Sequence, residues 1–171
     1  MALTQQLARV SPQYLAECRR AAADSPDNAP CWDPPTDDTV DLDWSMWGLI
    51  RFLRSVPVDA VHTDVLNRSV SGDELDGVAY LDHVAFYDGF DGPPALLGPA
   101  AVAEVARGLA AIDMNQFLAL LPADAADAAQ VTGFGSFDGD LRAYLADHFS
   151  TLRDFYLAAA ARGLAVVMWV D

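Results

Sequence analysis

Apolar residues recur at helical spacing along much of the chain, and this periodicity predicts most of its secondary structure. The clearest case is residues 140–162, where apolar positions three and four apart predict the longest helix. Shorter helices are predicted at residues 12–22, 44–55, 59–68, 99–112, 113–121 and 122–130. Ser11 and Asp113 stand where side chains cap helices, and Pro57 prevents the second helix from continuing.

Three segments have the composition of β-strands, namely residues 2–9, 78–87 and 164–170. The last is almost wholly apolar, which predicts a central position in its sheet. Strands and helices do not alternate regularly along the chain, and this excludes a doubly wound sheet. We therefore predict an α+β fold in which several helices cover a small mixed or antiparallel sheet, forming one domain over residues 1–171.

Residues 24–39 interrupt these patterns with four prolines among several aspartates, which predicts an irregular surface loop. Loops of this length often carry function. Asp43 follows the loop directly before the second predicted helix. Because aspartate is a favoured N-cap and its charge suits the positive end of a helix, Asp43 is predicted to cap that helix.

The charge of the chain is strongly one-sided, with a net value of −15 from 22 Asp, 3 Glu, 10 Arg and no Lys. Such a surface repels nucleic-acid phosphates and anionic lipid, so neither is an expected partner. It attracts a basic protein partner or a cation. The alternative explanation is solubility together with the codon usage of a GC-rich genome, which favours Arg, Ala and Asp over Lys.

The cysteine content and the apolar runs indicate the cytoplasm. Cys18 and Cys31 form no disulfide framework and belong to no CxxC motif. The first ten residues lack the apolar core of a signal peptide, and no apolar run approaches the ~20 residues that span a bilayer.

No motif in the sequence points to a cofactor or a metal. His62, His83 and His148 are not spaced for a shared helix face, and HExxH, CxxC and P-loop patterns are missing. The aspartates at 37–43 lack the glycine and the closing glutamate of a calcium loop. We therefore expect neither a cofactor nor a metal site.

The aspartate-rich loop has tryptophans on both sides, and this combination predicts a binding surface for a partner rich in Arg or Lys. Its candidate residues are Trp32, Asp33, Asp37, Asp38, Trp44 and Trp47. The first hypothesis is therefore a non-enzymatic binding protein of the immunity or regulatory type. Two structural alternatives remain. In one, Trp47 lies in the core. In the other, the aromatic residues of the loop hold the loop to the domain.

The second hypothesis is a small hydrolase or ligand-binding enzyme. Asp41, Asp43, His83 and Tyr156 could converge on one cleft beside Trp47, provided that the second and the last helices pack on the same sheet. A third option is a homo-oligomer formed through exposed apolar surface, which the 53% hydrophobic content allows.

Three segments together resemble the YfbM-like family of small bacterial proteins. The first is residues 42–53, whose order of Leu-Asp, Trp, Leu and aromatic positions is similar to a characteristic helix of that family. The second, 96–117, resembles the family's helix with a trailing Ile-Asp, and the third, 141–170, resembles its closing helix and strand. The matching positions are Asp41, directly before the first segment, and Asp43, Trp47, Leu49 and Leu53 within it.

This resemblance implies an α+β protein of the bacterial cytoplasm and implies no activity. The chain departs from the family pattern at residues 92–96, where many members carry Gly-Pro-Ala-Arg and this chain has no Arg. A role of that arginine is therefore not transferred.

Overall fold

A computed structural model describes residues 4–73, 78–86 and 90–171, with the backbone alone at Phe90 and Asp91. Its sheet has four strands in the order β2-β1-β4-β3, and every neighbouring pair is antiparallel. The strands are β1 (Gln5–Val10), β2 (Thr39–Asp41), β3 (Phe90–Leu97) and β4 (Ala165–Val170). With the helices, this arrangement confirms the predicted α+β class, and β4 is a central strand as predicted.

The helices follow the apolar periodicity closely. They are α1 (Pro12–Asp24), α2 (Ser45–Leu53), α3 (Ala60–Ser71), α4 (Pro99–Ala110), α5 (Met114–Ala119), α6 (Ala125–Thr132) and α7 (Leu141–Ala161). Ser11 and Asp113 cap α1 and α5 by accepting backbone N–H groups, as the sequence predicts. Asp140 caps α7, the longest helix among the described residues.

The two faces of the sheet bury different sets of residues, because successive side chains of a strand point to opposite faces. Leu7 of β1 and Val166 of β4 face helices α2 to α7 and belong to the large core. Val10 and Val167 face the other way, toward α1 and the loop after it, and belong to the small core.

The middle strand lies later in the chain than predicted. Within residues 78–87, the structure has a 3-10 helix at Ala79–Leu81 and a turn, while the strand is β3; Tyr87 itself lies outside the described residues. Leu81 and Phe86 are buried in the small core, so a turn satisfies the same apolar residues that suggested a strand. β3 in turn contains Pro93 and Pro94, which an edge strand accepts because one side of it is unpaired.

The loop between α1 and β2 is partly ordered by regular structure. The 3-10 helix Thr36–Asp38 leads directly into β2, which pairs with β1 at the edge of the sheet. The other edge is β3, which Asp73 bridges at Leu96 and whose pairing with β4 shifts register between Phe90 and Ala95. The first strand, predicted at 2–9, is described from Gln5 onward, and residues 1–3 lie outside the described part.

Among the described residues, no helix combines the length and the apolar character required to cross a membrane.

Candidate functional site

Asp43 occupies a left-handed backbone position between β2 and α2. Its φ is 51°, a conformation that aspartate tolerates better than most residues. Its N–H donates to Oδ1 of Asp41 at 2.7 Å, and its carbonyl accepts the N–H of Gln5 at 2.9 Å. Asp43 therefore does not cap α2 as predicted: the N-cap position is Trp44, and no side chain accepts a capping bond there.

The Asp43 carboxylate turns toward α7 instead. Its Oδ2 accepts a hydrogen bond of 2.8 Å from the hydroxyl of Tyr144. Burial raises the pKa of Tyr144, and the hydrogen bond and negative charge of Asp43 raise it further. The phenol therefore stays protonated at neutral pH and acts as a permanent donor that fixes the carboxylate.

Two tryptophans follow Asp43 along the chain, at the start of α2. The rings of Trp44 and Trp47 have centroids 5.8 Å apart and planes inclined by 32°. The indole N–H of Trp47 donates to Oε1 of Gln5 at 2.9 Å, and Nε2 of Gln5 donates to the carbonyl of Trp169 at 3.0 Å. Gln5 is almost completely buried, so it holds the Trp47 ring in one orientation. We call Asp41, Asp43, Trp44, Trp47 and Tyr144 the Asp43 site.

An aromatic cluster supports Tyr144 from behind. Its ring lies 4.4 Å from His148, 4.9 Å from Phe137 and 5.7 Å from Phe134, measured between centroids. Phe134 packs closely over α2 because Gly48 has no side chain; a Cβ there would meet Cε2 of Phe134 at 2.6 Å. The Asp43 site is thus built on packed rings and has little freedom to rearrange.

Asp38, a predicted contact residue, already has two arginine partners. Its Oδ1 accepts from Nε of Arg9 at 2.8 Å and from Nη1 of Arg162 at 2.6 Å, and its Oδ2 accepts from Nη2 of Arg162 at 3.2 Å. The hydrogen bonds from Arg162 and Arg9 hold the pKa of Asp38 below its usual value. We call these three residues the Asp38 clamp. The neighbouring Asp37 is exposed, and its carbonyl accepts a further bond from Arg9.

Trp32 and Asp33 lie on the other face of the sheet. The Trp32 ring contacts Phe86 at 4.6 Å, Tyr14 at 5.6 Å and Trp169 at 6.2 Å, so it covers the small core. The backbone N–H of Asp33 donates to the Tyr14 hydroxyl at 2.7 Å, and Asp33 is exposed to solvent. The sheet therefore separates Trp32 from Trp44 and Trp47, and the six predicted binding residues do not form one continuous surface.

The residues of the predicted catalytic cleft are not brought together. His83 is bound through its ring nitrogens to the carbonyl of Asp27 and the N–H of Ala85, on the small-core side. Tyr156 is fully buried in the large core and donates to the carbonyl of Ser69 at 2.8 Å. Of the four cleft residues, only Asp41 and Asp43 contact each other, because the other two form hydrogen bonds with distant parts of the chain.

Two surface cavities lie away from the Asp43 site. One of about 530 Å³ is lined by Arg19, Asp27, Asn28, Tyr80 and His83, among others. The other, of about 220 Å³, lies beside Asp140 at the start of α7. In the described part of the chain, no group of three or more His, Cys, Asp or Glu side chains is arranged to hold a metal ion.

Sequence reasoning missed two residues that build the Asp43 site, Gln5 and Tyr144. Gln5 shares the inward phase of β1 with Leu7, and a polar residue in that phase is a signal of a buried hydrogen-bonded side chain. Tyr144 lies between Leu141 and Leu145 on α7, at the edge of the apolar stripe. Its partner Asp43 lies 101 residues away, so no local pattern could reveal the pair.

Comparisons with known proteins agree on the fold and are silent on activity. A family model described as "Domain of unknown function (DUF1877)" matches residues 1–169. The crystal structure of YfbM from Escherichia coli, described as a protein of unknown function, is similar with a TM-score of 0.60 at 13% identity, covering 98% of this chain and 99% of that one. At that identity the likeness concerns the fold alone. None of the curated proteins compared with the chain matches it.

Proposed function

The chain belongs to the family described as a domain of unknown function, DUF1877, as its YfbM-like segments predict, and from this premise we propose that it is a non-enzymatic binding protein. Its Asp43 site receives a basic partner protein, in the manner of an immunity-type or regulatory protein that covers a cationic surface. The proposed setting is the cytoplasm, which suits the free thiols of Cys18 and Cys31.

One observation carries this proposal: the Asp43 carboxylate is held in place by protein groups but is not neutralised by any of them. Tyr144 is a neutral donor, and among the described residues no arginine pairs with Asp41 or Asp43. Oδ1 of Asp43 has no hydrogen-bond partner in that part of the chain. A carboxylate that is held in one place and has no cationic partner is a group to which a cationic side chain can donate a charge-assisted hydrogen bond.

The charge of the whole chain supports the same partner class. A net charge of −15 attracts a basic protein over distances longer than any contact and raises its rate of association. The Trp44 and Trp47 rings supply apolar contact area at low entropic cost, since aromatic side chains have few rotatable bonds. The net charge of the chain thus supplies long-range attraction, and the Asp43 site supplies the short-range anchor.

A hydrolase function finds less support, because the four residues on which it depends do not meet in one cleft. His83 and Tyr156 form their hydrogen bonds elsewhere in the fold, away from Asp41 and Asp43. General acid–base catalysis requires such groups within hydrogen-bonding reach of one reacting atom.

The test is affinity capture from native cells with paired baits. The wild-type chain is compared with a variant carrying Asp41→Asn and Asp43→Asn, and with a control carrying Asp24→Asn and Asp64→Asn. All four positions lie outside the five ion pairs found, and both variants lose the same charge. We expect one basic protein to be retained by the wild type and the control, and to be lost from the site variant.

Purified components then repeat the measurement by calorimetry, at low and at raised ionic strength. Binding should weaken with salt, since exposed charges are screened. Equal retention by the two variants would show that charge alone, and not the Asp43 site, attracts the partner. Recovery of the same proteins by all baits at all salt concentrations would contradict the proposal altogether.

A further inference from the structure

We propose that Cys18 and Cys31 form a reversible disulfide by exchange with a small-molecule disulfide such as glutathione disulfide. Both residues are free thiols in the structure. Cys18 belongs to α1 and Cys31 to the loop after it, on the small-core side of the sheet, so this inference is independent of the Asp43 site. Disulfides of cytosolic proteins are usually transient, and this one would fasten the loop to α1 under oxidising conditions.

The loop after α1 runs back along that helix. Near its start, Asp27 and Asn28 line the cavity of about 530 Å³ together with Ala22, which lies in the last turns of α1. Further along the loop, the N–H of Asp33 donates to the hydroxyl of Tyr14 at 2.7 Å, and Tyr14 lies in the first turn. The loop therefore passes antiparallel to α1, from the end of the helix to its beginning.

This antiparallel course places Cys31 at the level of Cys18. Cys18 follows Tyr14 by four residues, which corresponds to about 6 Å along a helix. Cys31 precedes Asp33 by two residues, which spans at most about 7 Å of extended chain running the other way. Measured from the hydrogen bond between Asp33 and Tyr14, the two cysteines therefore lie at about the same height along α1.

The Tyr14 side chain connects the loop with Cys18. Its hydroxyl accepts the Asp33 N–H and also forms a hydrogen bond with the Cys18 side chain, one helical turn further on. The ring of Trp32, the residue between Cys31 and Asp33, meets the Tyr14 ring edge-on at 5.6 Å. The two residues that follow Cys31 thus contact the residue that lies on the same face of α1 as Cys18.

The two thiols differ in exposure, and this difference sets the order of their reactions. Cys31 is exposed, while Cys18 is buried beneath the loop. Burial raises the pKa of the Cys18 thiol, and a negative charge on Cys31 raises it further. Because the thiolate is the nucleophile, Cys31 reacts first with a dissolved disulfide. Cys31 also has a φ of 52°, an unfavourable value for a residue with a β-carbon, so its rotation toward α1 relieves backbone strain.

The exchange balances in two steps. The Cys31 thiolate attacks one sulfur of the small disulfide, so a bond between Cys31 and glutathione forms, the glutathione S–S bond breaks and one glutathione thiolate leaves. The Cys18 thiolate then attacks the Cys31 sulfur, and the second glutathione thiolate leaves. The two protein thiols lose two electrons and two protons, and the two leaving glutathiones take up both as thiols.

The probe is glutathione, supplied to the full chain as mixtures of its reduced and disulfide forms. After equilibration the samples are quenched with acid, alkylated and weighed by intact-mass spectrometry. An internal disulfide removes two hydrogen atoms and prevents alkylation, whereas a mixed disulfide adds one glutathione. We expect the effective concentration of one thiol toward the other to be at least about ten-fold higher in the folded chain than in the same chain unfolded in urea, because the fold holds the loop on α1.

Two matched variants test the order of the steps. Cys18→Ser should retain glutathione on Cys31, because the second thiol is missing. Cys31→Ser should remain almost unmodified in the folded chain, because Cys18 is buried. The oxidised wild type should also unfold at a higher urea concentration than the reduced one, since a bond that fits the fold restricts the unfolded chain.

Three outcomes would overturn the inference. A wild-type chain that accumulates the glutathione adduct without an internal disulfide shows that Cys18 does not reach Cys31. Equal effective concentrations in the folded and unfolded chains show that the fold does not bring the thiols together. Linkage of two chains through Cys31 shows that its partner is another molecule. Each of these results leaves the capture experiments on the Asp43 site unaffected.

Discussion

Asp38 and Asp43 lie five residues apart on either side of β2, and both carboxylates reach toward α7. Asp38 meets Arg9 and Arg162 and is neutralised within the fold. Asp43 meets the uncharged hydroxyl of Tyr144 and has no cationic partner among the described residues. The difference teaches that the aspartates of this chain are not equivalent: one is paired with arginines inside the fold, and the other is paired with a neutral donor.

The largest expected effect comes from breaking the clamp. Asp38→Ala leaves Arg9 and Arg162 without their shared acceptor, and hydrogen bonds to charged groups contribute about 1.5–3 kcal/mol each. We expect the free energy of unfolding to fall by about 2–3 kcal/mol in urea denaturation. Asp43→Asn, which keeps an acceptor for Tyr144, should cost less than about 1 kcal/mol. Equal losses of unfolding free energy in the two variants would show that Asp38 and Asp43 contribute equally to stability.

A smaller effect is expected from disturbing the packing behind Asp43. In Gly48→Ala the new methyl group meets Phe134 at 2.6 Å, and overpacking of a core costs about 1–3 kcal/mol. The higher helix propensity of alanine offsets up to about 1 kcal/mol of this cost. We therefore expect a net loss of about 1 kcal/mol in thermal or urea unfolding, together with weaker binding at the Asp43 site. Unchanged binding would show that the aromatic cluster does not position Tyr144.

Tyr144→Phe tests whether the position of the Asp43 carboxylate matters, because it leaves the carboxylate itself unchanged. It removes one hydrogen bond and leaves the ring contacts, so the stability should fall by only about 1 kcal/mol. Binding of the captured basic partner should weaken several-fold, because the carboxylate is no longer held in one place. Tyr14→Phe on the other face loses a similar bond, to the Asp33 N–H, and should not alter partner binding.

The smallest effect is a difference in pH dependence. The pKa of Asp38 is lower in the folded chain than the value of about 3.9 for an unperturbed aspartate. Its contribution to stability is therefore fully present above about pH 4 and is lost as the pH falls through the lowered folded pKa. The stability gap between wild type and Asp38→Asn should narrow on acidification, when unfolding is measured from pH 7 down to about pH 2. A gap that stays constant would mean that the clamp does not depend on the charge of Asp38.

Much of the fold follows from local signals, and its exceptions have physical causes. Ser11 and Asp113 cap their helices as predicted, because a cap depends on residues two or three positions away. Leu81 and Phe86 suggested a strand, yet burial is all that their apolar character requires, and a 3-10 turn at the small core provides it. Local propensity is overridden wherever a tertiary partner satisfies the same group better.

The candidate site shows this limit more sharply. Sequence patterns predict Asp38 as a contact residue and Asp43 as a helix cap or a cleft residue, and they identify the actual partner of neither. Their hydrogen-bond partners are Arg162 for Asp38 and Tyr144 for Asp43, which lie 124 and 101 residues away in the sequence. Aspartate is a favoured N-cap residue, but the hydrogen bonds of Asp43 to Gln5 and Tyr144 direct it away from the first turn of α2.

The two margins of the sheet restrict how another chain can join this one. β2 is only three residues long, and β3 carries consecutive prolines and is bridged by Asp73. Prolines offer no backbone N–H, and a three-residue strand offers too short a ladder for an incoming strand to extend. Growth of the sheet from protein to protein, the usual first step of fibril formation, is therefore disfavoured at both margins. The chain should stay dispersed at high concentration even when its negative charge is masked by salt.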